Sequence, residues 1–264
     1  MHSFNYHSAS SVEDAVSSLA ASSDGALLAG GMTLIPTLKH RLASPSDLIG
    51  IGAIAGLNGV SEEGGAVVVG ATTCHAAVAS DSLVNSRIPA LAALAGGIGD
   101  PQVRNRGTIG GSIANNDPAA DYPAGLVGLG ATVRTNRREI AADDFFTGLF
   151  ETALDDGEII TAVSFPVPDR AAWRKFANPA SRYAIVGVMA SQGPAGTRVA
   201  VTGAGSCVFR VAEMEAALGG SFSPDAIAGI AVSADELNAD IHASAEYRAH
   251  LVSVMAGRAV AAAA

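Results

Sequence analysis

Two glycine pairs flanked by hydroxyl side chains have the clearest chemical potential in this chain. Gly30–Gly31 is followed by Thr33, and Gly110–Gly111 lies between Thr108 and Ser112. Because glycine lacks a Cβ atom, a ligand can approach the main chain closely and unusual backbone angles cost little. Successive N–H groups in such turns can point at one anion, and the neighbouring hydroxyls can also donate to it. The two turns predict a ligand with two phosphates held between two loops.

The segments around these glycines resemble the two flavin signatures of a known family. Residues 29–36 read Ala-Gly-Gly-Met-Thr-Leu-Ile-Pro, and residues 100–111 read Asp-Pro-Gln-Val-Arg-Asn-Arg-Gly-Thr-Ile-Gly-Gly. They are similar to those of the FAD-binding medium subunit of the molybdenum hydroxylases, the relatives of carbon monoxide dehydrogenase and xanthine dehydrogenase. Further segments at 41–45, 157–160, 165–166 and 181–184 follow in family order, so the resemblance covers essentially the whole chain.

The resemblance implies a fold. The fold class is α+β, with a two-subdomain FAD-binding domain of the vanillyl-alcohol-oxidase (PCMH) type in residues 1–168. A small α/β C-terminal domain of the carbon monoxide dehydrogenase flavoprotein type follows in residues 169–264. Pro166 and Pro168, which close an apolar run, mark the predicted boundary.

The resemblance also implies an oxidoreductase function. A large subunit would hydroxylate the substrate at a molybdopterin centre, and two [2Fe–2S] clusters on a small subunit would carry the electrons to FAD on this chain. An external acceptor would then remove them. The family further implies a heterohexamer, built as a dimer of heterotrimers. No residue of this chain is expected to act as acid, base or nucleophile on the organic substrate.

Cofactor contacts follow from the resemblance residue by residue. The first loop should wrap the FAD pyrophosphate with its N–H groups, and the second should contact the pyrophosphate beside the flavin ring. Asp121 matches an acid that binds a cofactor hydroxyl. Lys175 matches a lysine near the flavin, where a positive charge stabilises the reduced, anionic ring. Ile159 and Ile160 match an apolar contact to the ring.

Met32 replaces a polar family residue, so no side-chain role is assigned to it. The predicted cofactor-binding residues are Leu28, Ala29, Gly30, Gly31, Met32, Thr33, Leu34, Arg104, Thr108, Ile109, Gly110, Gly111, Asp117, Asp121, Ile159, Ile160, Lys175 and Tyr183.

Four of these residues allow a second interpretation. Arg104 can neutralise phosphate or hold its loop through backbone carbonyls. Asp117 can contact the cofactor or cap a short helix that begins at Pro118. Lys175 can serve the flavin or be an exposed cation on a strand. Tyr183 can cover the flavin ring or lie buried in the core.

A competing dinucleotide motif lies at residues 50–55, which read Gly-Ile-Gly-Ala-Ile-Ala. A true site of this type needs a following helix and an acidic residue about 20 positions later. Leu57-Asn58-Gly59 would break such a helix almost at once. We therefore do not interpret this segment as a nucleotide site.

Length, composition and charge favour a two-domain globular protein over a nucleic-acid-binding or membrane-spanning one. The 264 residues are 49% hydrophobic and 16% charged, which is enough for a sizeable core and is typical of two domains. The net charge of −9 argues against nucleic acid as a partner. Neither a signal peptide nor an uninterrupted apolar run of about eighteen residues is recognisable, so no membrane span and a cytoplasmic location are expected.

Cysteine and histidine usage predicts no metal in this chain. Cys74 and Cys207 stand far apart without a Cys-x-x-Cys pair, whereas an iron–sulfur cluster needs about four thiolates. The six histidines show no metal-ligand spacing, and a structural or surface role is expected for each. Any iron–sulfur cluster must therefore be on a partner.

The elements that position the loops can be predicted from periodicity and end signals. A helix over 11–21, a strand over 26–29, a helix over 34–41 and a strand over 48–54 predict a small parallel unit. In such a unit the first glycine loop lies at the carboxyl end of a strand. Further strands are expected at 67–70, 131–134, 158–165, 173–176, 183–190 and 198–203, and two helices at 211–218 and 246–261.

Two other functions are weighed against electron transfer. A free-standing flavin-dependent oxidoreductase of the same fold would turn over a small organic donor alone, but the chain has no inserted substrate domain. A non-catalytic interaction subunit would have lost flavin, but the glycine pairs, Asp121 and Lys175 are intact.

Overall fold

The computed structural model describes residues 1–263, which form three β-sheets, one short hairpin and twelve helices. The three sheets follow one another along the chain. A separate hydrophobic cluster lies against each of them. The mixture of helix and sheet confirms the α+β class.

The first unit is the predicted parallel sheet. Its elements are β1 (Asn5–Ser8), α1 (Val12–Ala21), β2 (Gly25–Leu28), α2 (Leu34–Lys39) and β3 (Asp47–Gly50), with the strands in the order β1–β3–β2. α1 begins where Ser11 Oγ accepts from the Asp14 N–H at 3.1 Å and so caps the helix. The expected strand over 48–54 was too long, because after Gly50 the chain turns to bury Ile51 and Ile54. No helix follows within the described segment from Gly50 to β4, so the geometry of a dinucleotide turn is absent there.

The second unit is a five-stranded antiparallel sheet covered by helices. Its strands are β4 (Val60–Glu63), β5 (Ala66–Gly70), β6 (Thr132–Thr135), β7 (Glu139–Ala141) and β10 (Ile160–Pro166), in the order β4–β5–β10–β6–β7. The helices are α3 (His75–Ser80), α4 (Ser82–Arg87), α5 (Pro89–Gly96), α6 (Pro101–Arg104), α7 (Ile109–Asn115), α8 (Asp121–Leu129) and α9 (Ala142–Phe145). A hairpin of β8 (Phe146–Gly148) and β9 (Glu151–Thr152) projects from this unit.

The third unit is a four-stranded antiparallel sheet with three helices. Its elements are β11 (Arg170–Ala177), β12 (Ala184–Gly193), β13 (Gly196–Thr202), β14 (Phe209–Arg210), α10 (Ala212–Gly220), α11 (Pro224–Ile227) and α12 (Ala245–Ala263). Alternate residues of β12 point to opposite faces. Val188 packs into the core beneath α12, whereas Met189 and Trp173 join the core of the second unit. The sheet is therefore buried on both faces and is fixed against the preceding part of the chain.

Candidate functional site

A cleft of about 560 Å³ lies where the three units meet. The loop after β2, the start of α7 and the segment leading into β10 form most of its wall, and β11 and the loop before β12 complete it. All the predicted cofactor residues except Arg104 and Ile109 line this cleft. The structure thus brings together residues that are more than 150 positions apart in the sequence.

The first glycine loop offers unpaired donors to the cleft. Within residues 1–263, the main-chain N–H groups of residues 30–34 donate no hydrogen bond. Gly31 has φ +73°, a conformation that favours glycine and that turns the chain from β2 into α2. A Cβ at Gly30 would overlap the carbonyl oxygen of Arg106 and Cα of Gly107, so the two glycine loops are in direct contact. A run of unpaired N–H groups beside a cleft is suited to an anion.

The N–H groups of the second glycine loop have partners within the protein. Ile109 donates to Thr73 O at 3.1 Å, Gly110 to Ala71 O at 2.8 Å and Gly111 to Thr108 Oγ1 at 3.1 Å. These bonds arise because the loop is already the first turn of α7, whose leading N–H groups need partners. Thr108 and Ser112, which carry hydroxyls, line the cleft together with Gly110 and Gly111.

The two glycines of this loop have different structural roles. A Cβ at Gly110 would lie 2.7 Å from Ala71 O and 2.8 Å from Ala71 Cβ, so Gly110 allows α7 to pack against the end of β5. A Cβ at Gly111 would meet only Thr108 Oγ1, at 3.0 Å. Gly111 is therefore the position where the missing Cβ leaves space on the cleft side. Ile109 is fully buried and does not line the cleft.

Lys175 and Asp121 form a buried ion pair in the cleft wall. Lys175 Nζ lies 2.6 Å from Asp121 Oδ2 and donates to Gly97 O at 2.8 Å. The two side chains are 9% and 4% exposed, so the interpretation of Lys175 as an exposed strand cation was wrong. Asp121 Oδ1 is buried without a partner among the described residues, and this unpaired acceptor can still receive a ligand hydroxyl. Burial raises the pKa of Asp121 to about 6, although the neighbouring ammonium of Lys175 opposes the shift.

The pKa of Asp121 predicts how stability depends on pH. Its ordinary value is 3.8, so between about pH 4 and pH 6 the folded protein holds this proton more tightly than the unfolded chain does. The free energy of unfolding of the wild type, relative to that of Asp121→Asn, should therefore fall as the pH rises through this window and level off above it. Urea unfolding of both proteins at several pH values measures the difference, and a difference that does not vary with pH would contradict this assignment.

Glu158 holds the chain directly before the two isoleucines. Its carboxylate is fully buried and accepts from Arg138 Nε at 3.0 Å, Thr135 Oγ1 at 2.7 Å and the Asp155 N–H at 2.9 Å. The hydrogen bond from Arg138 is the main reason that the pKa of Glu158 falls to about 2. Ile159 and Ile160 are buried and contribute an apolar part of the cleft wall. From the sequence Glu158 is predicted only as the start of a strand, because its partners Arg138 and Thr135 lie about 20 positions earlier and carry no spacing signal.

Replacing Glu158 should lower the free energy of unfolding more than replacing an exposed acidic residue does. Glu158→Ala leaves three groups of donors without their acceptor, and we expect the free energy of unfolding to fall by about 1–3 kcal/mol at pH 7. Because the folded-state pKa is depressed, the contribution of Glu158 should disappear as the pH falls from about 4.5 to about 2. Glu62, an exposed partner of Arg87, provides the control: Glu62→Ala should cost less than about 0.5 kcal/mol. Equal losses in the two variants would refute the role of Glu158.

Arg104 holds the edge of the cleft and does not line it. Its Nη1 atom donates to Ile98 O and Gly99 O, both at 3.0 Å. Ile98 and Gly99 themselves line the cleft. Of the two sequence interpretations, the geometry matches the one in which the arginine holds its loop through backbone carbonyls.

Asp117 and Tyr183 lie at the mouth of the cleft. Asp117 Oδ1 accepts from the Ala119 N–H at 2.9 Å in a turn, and the next helix begins only at Asp121, so the helix-cap interpretation was wrong. Tyr183 is 48% exposed, so the interpretation as a core residue was also wrong. Partial burial beside these two aspartates raises the pKa of the Tyr183 phenol.

His75 is a cleft residue that sequence reasoning did not identify. Its ring is buried beside Gly107, and its centroid lies 5.3 Å from that of Tyr122. Burial, assisted by the positive charge of Arg104, lowers the pKa of His75 to about 4, so the imidazole is neutral at pH 7. A lone histidine carries no spacing signal, and only the fold shows that it reaches the cleft.

The described residues contain no cluster of three His, Cys, Asp or Glu side chains that could hold a metal ion. None of the helices within residues 1–263 is long and apolar enough to cross a membrane.

Residues 2–168 match the family model described as the FAD binding domain in molybdopterin dehydrogenase. The chain is 37% identical to the nicotine 6-hydroxylase medium subunit of Paenarthrobacter nicotinovorans over 97% of this chain and 95% of that protein. It is 35% identical to the carbon monoxide dehydrogenase medium chain of Hydrogenophaga pseudoflava over 98% and 96% of the two chains. The solved carbon monoxide dehydrogenase of Hydrogenophaga pseudoflava superposes with a TM-score of 0.88 at 36% identity, covering 98% of this chain and 96% of that chain.

Proposed function

The chain belongs to the family of FAD-binding subunits of molybdopterin dehydrogenases, and we propose that its cleft holds FAD with the pyrophosphate between the two glycine loops. The observation that carries this proposal is the run of unpaired N–H groups at residues 30–34, which line the same cleft as Thr108 and Ser112. Thr33 adds a third hydroxyl on the first loop. The N–H groups can only donate hydrogen bonds, and the hydroxyls can donate them. Both are therefore suited to the acceptor oxygens of two phosphates.

The remaining cleft residues would hold the other parts of the cofactor. Asp121 Oδ1 is an unpaired buried acceptor for a cofactor hydroxyl. Ile159, Ile160 and Tyr183 would contact the flavin ring, and Lys175 would set the charge beside it. Bound FAD supplies a centre that accepts single electrons and releases them in pairs. The chain itself positions the ring, excludes water with its apolar wall and fixes one buried positive charge.

The chain is the FAD-binding electron-transfer subunit of a molybdenum hydroxylase complex, in which partner subunits carry the molybdopterin and the [2Fe–2S] clusters. We propose that an external acceptor takes the electrons from this cleft and that the complex is a dimer of heterotrimers. We also propose that residues 1–168 act as the FAD-binding domain and residues 169–264 as the C-terminal domain that completes the cleft with Lys175 and Tyr183.

Stopped-flow absorbance distinguishes this function from a free-standing flavin oxidoreductase. The FAD-loaded chain, mixed alone with carbon monoxide or with purine, N-heterocycle or aldehyde donors, should keep its oxidised flavin spectrum. One of these donor classes should bleach the same flavin once the large and small subunits are present. Bleaching of the isolated chain by such a donor would overturn the proposal in favour of an oxidoreductase with its own substrate pocket.

A further inference from the structure

The hairpin of β8 and β9 presents two large apolar side chains to solvent. Leu149 and Phe150 form its tip and are 53% and 55% exposed. Phe150 has φ +56°, a conformation that is unfavourable for a bulky residue and that glycine or asparagine adopts at lower cost. Strain of this type persists where the surrounding structure enforces it, and it clusters at functional positions. The tip is therefore costly to form and is left uncovered by the rest of the chain.

A buried asparagine holds this tip in place. The Nδ2 atom of Asn116 donates to Gly148 O at 2.8 Å and to Glu151 O at 2.7 Å, the two carbonyls on either side of Leu149 and Phe150. Asn116 is 1% exposed, and buried hydrogen bonds of this kind are expensive to break. The tip is thus a fixed projection of the fold.

The segment that carries the tip has only acidic charged side chains of its own, and at its base Asp143 pairs with Arg198 and Arg210. The sequence contains no lysine or arginine between Arg138 and Arg170. Asp144 and Glu151 are exposed and take part in no ion pair within the described chain. An apolar projection with an acidic rim fits an apolar pocket bordered by basic side chains, and it disfavours an anionic lipid surface or nucleic acid.

The tip lies close to the cleft along a continuous element. Asn116, which holds the hairpin, directly follows α7, and the first turn of α7 forms the second glycine loop. Seven helical residues span about 10 Å. Electrons can enter the cleft only from a centre that is docked nearby, so a docking element at this distance is well placed for the subunit that delivers them.

We propose that Leu149 and Phe150 dock this chain onto the iron–sulfur subunit of its complex by entering an apolar pocket with a basic rim. The inference rests on the proposed function, which supplies the partner. An aromatic side chain that becomes fully buried in a partner pocket is the usual anchor of a protein interface. The strained tip then serves assembly and not the stability of the isolated chain.

The test compares the affinity of the full-length, FAD-loaded chain for the purified iron–sulfur subunit by calorimetry. The double variant Leu149→Ser/Phe150→Asn should raise the Kd about tenfold or more. Its FAD content should equal that of the wild type, and its Tm should be unchanged or higher, because asparagine tolerates the φ of position 150. Glu151→Lys should also raise the Kd. Ile241→Asn alters a side chain that is 96% exposed and serves as the control, with a wild-type Kd.

Different failures have different meanings. A double variant that binds the iron–sulfur subunit with wild-type affinity overturns the docking role and leaves the proposed function intact. A loss of binding to the large subunit only, or of self-association by ultracentrifugation only, overturns it in favour of another occupant. A wild-type chain that carries FAD but does not bind the iron–sulfur subunit overturns both the docking role and the assembly on which it rests.

Discussion

Gly111→Val is expected to abolish FAD binding while leaving the fold nearly intact. A side chain at this position would meet only Thr108 Oγ1 within the protein, so its bulk would occupy the cleft beside the proposed pyrophosphate site. Valine would also press on the Thr108 hydroxyl that caps α7. We expect the affinity for FAD to fall by at least about a hundredfold, as for an intrusion of several atoms into a formed site. Fluorescence titration with FAD measures the affinity, and thermal unfolding of the apo-protein measures the fold.

Gly110→Ala is the matched control for this variant. Its new Cβ would collide with Ala71 O and Ala71 Cβ, so it should lower the Tm of the apo-protein, unlike Gly111→Val. Normal FAD content in Gly111→Val would contradict the proposal that the pyrophosphate lies beside this loop. A similar loss of Tm in both variants would show that Gly111 is a packing residue as well.

Lys175→Met is expected to have the largest effect on stability. It leaves the buried carboxylate of Asp121 without its cation, and breaking a buried pair in this way costs about 3–5 kcal/mol. The same change removes the positive charge proposed to lie beside the flavin ring. Reduction of the flavin adds negative charge, so we expect a lower midpoint potential in the variant. Urea unfolding at pH 8 and a spectroscopic redox titration measure the two effects.

Two further variants separate these effects. Lys175→Met/Asp121→Asn should recover most of the lost free energy of unfolding, because no charge remains buried, while the midpoint potential stays low. Lys39, the second lysine of the chain, is exposed, and Lys39→Met should change neither quantity. If Lys175→Met changed the stability but not the potential, Lys175 would be a structural partner of Asp121 alone.

The sequence was sufficient to predict the first glycine loop and its setting. Periodicity and end signals predicted the parallel unit, and the glycine pair after its second strand predicted the turn. These features are local, because each depends on residues within one helix or strand and its connecting loop. The family resemblance added the cleft residues of the later segments, and nearly all of them lie together in the structure.

The contacts that were missed are those between distant segments. The N–H group of Gly110 donates to Ala71 O, and Lys175 pairs with Asp121, which lies 54 positions earlier in the sequence. Neither partner is marked by spacing or composition. The predicted anion contacts of both glycine loops stay predictions: the Gly110 and Gly111 N–H groups have partners within the protein, whereas those of residues 30–34 have none among the described residues. Such differences appear only when the packing of one unit on another is known.

The most direct test of the account is the identity and amount of the chromophore that acid releases from the purified chain. Absorbance and mass analysis should give one FAD for each chain, with no iron–sulfur absorbance from the chain itself. This result would establish that the chain carries FAD and leave the clusters to the partner subunit. A colourless chain that takes up no added FAD would contradict the central claim, even with the fold unchanged.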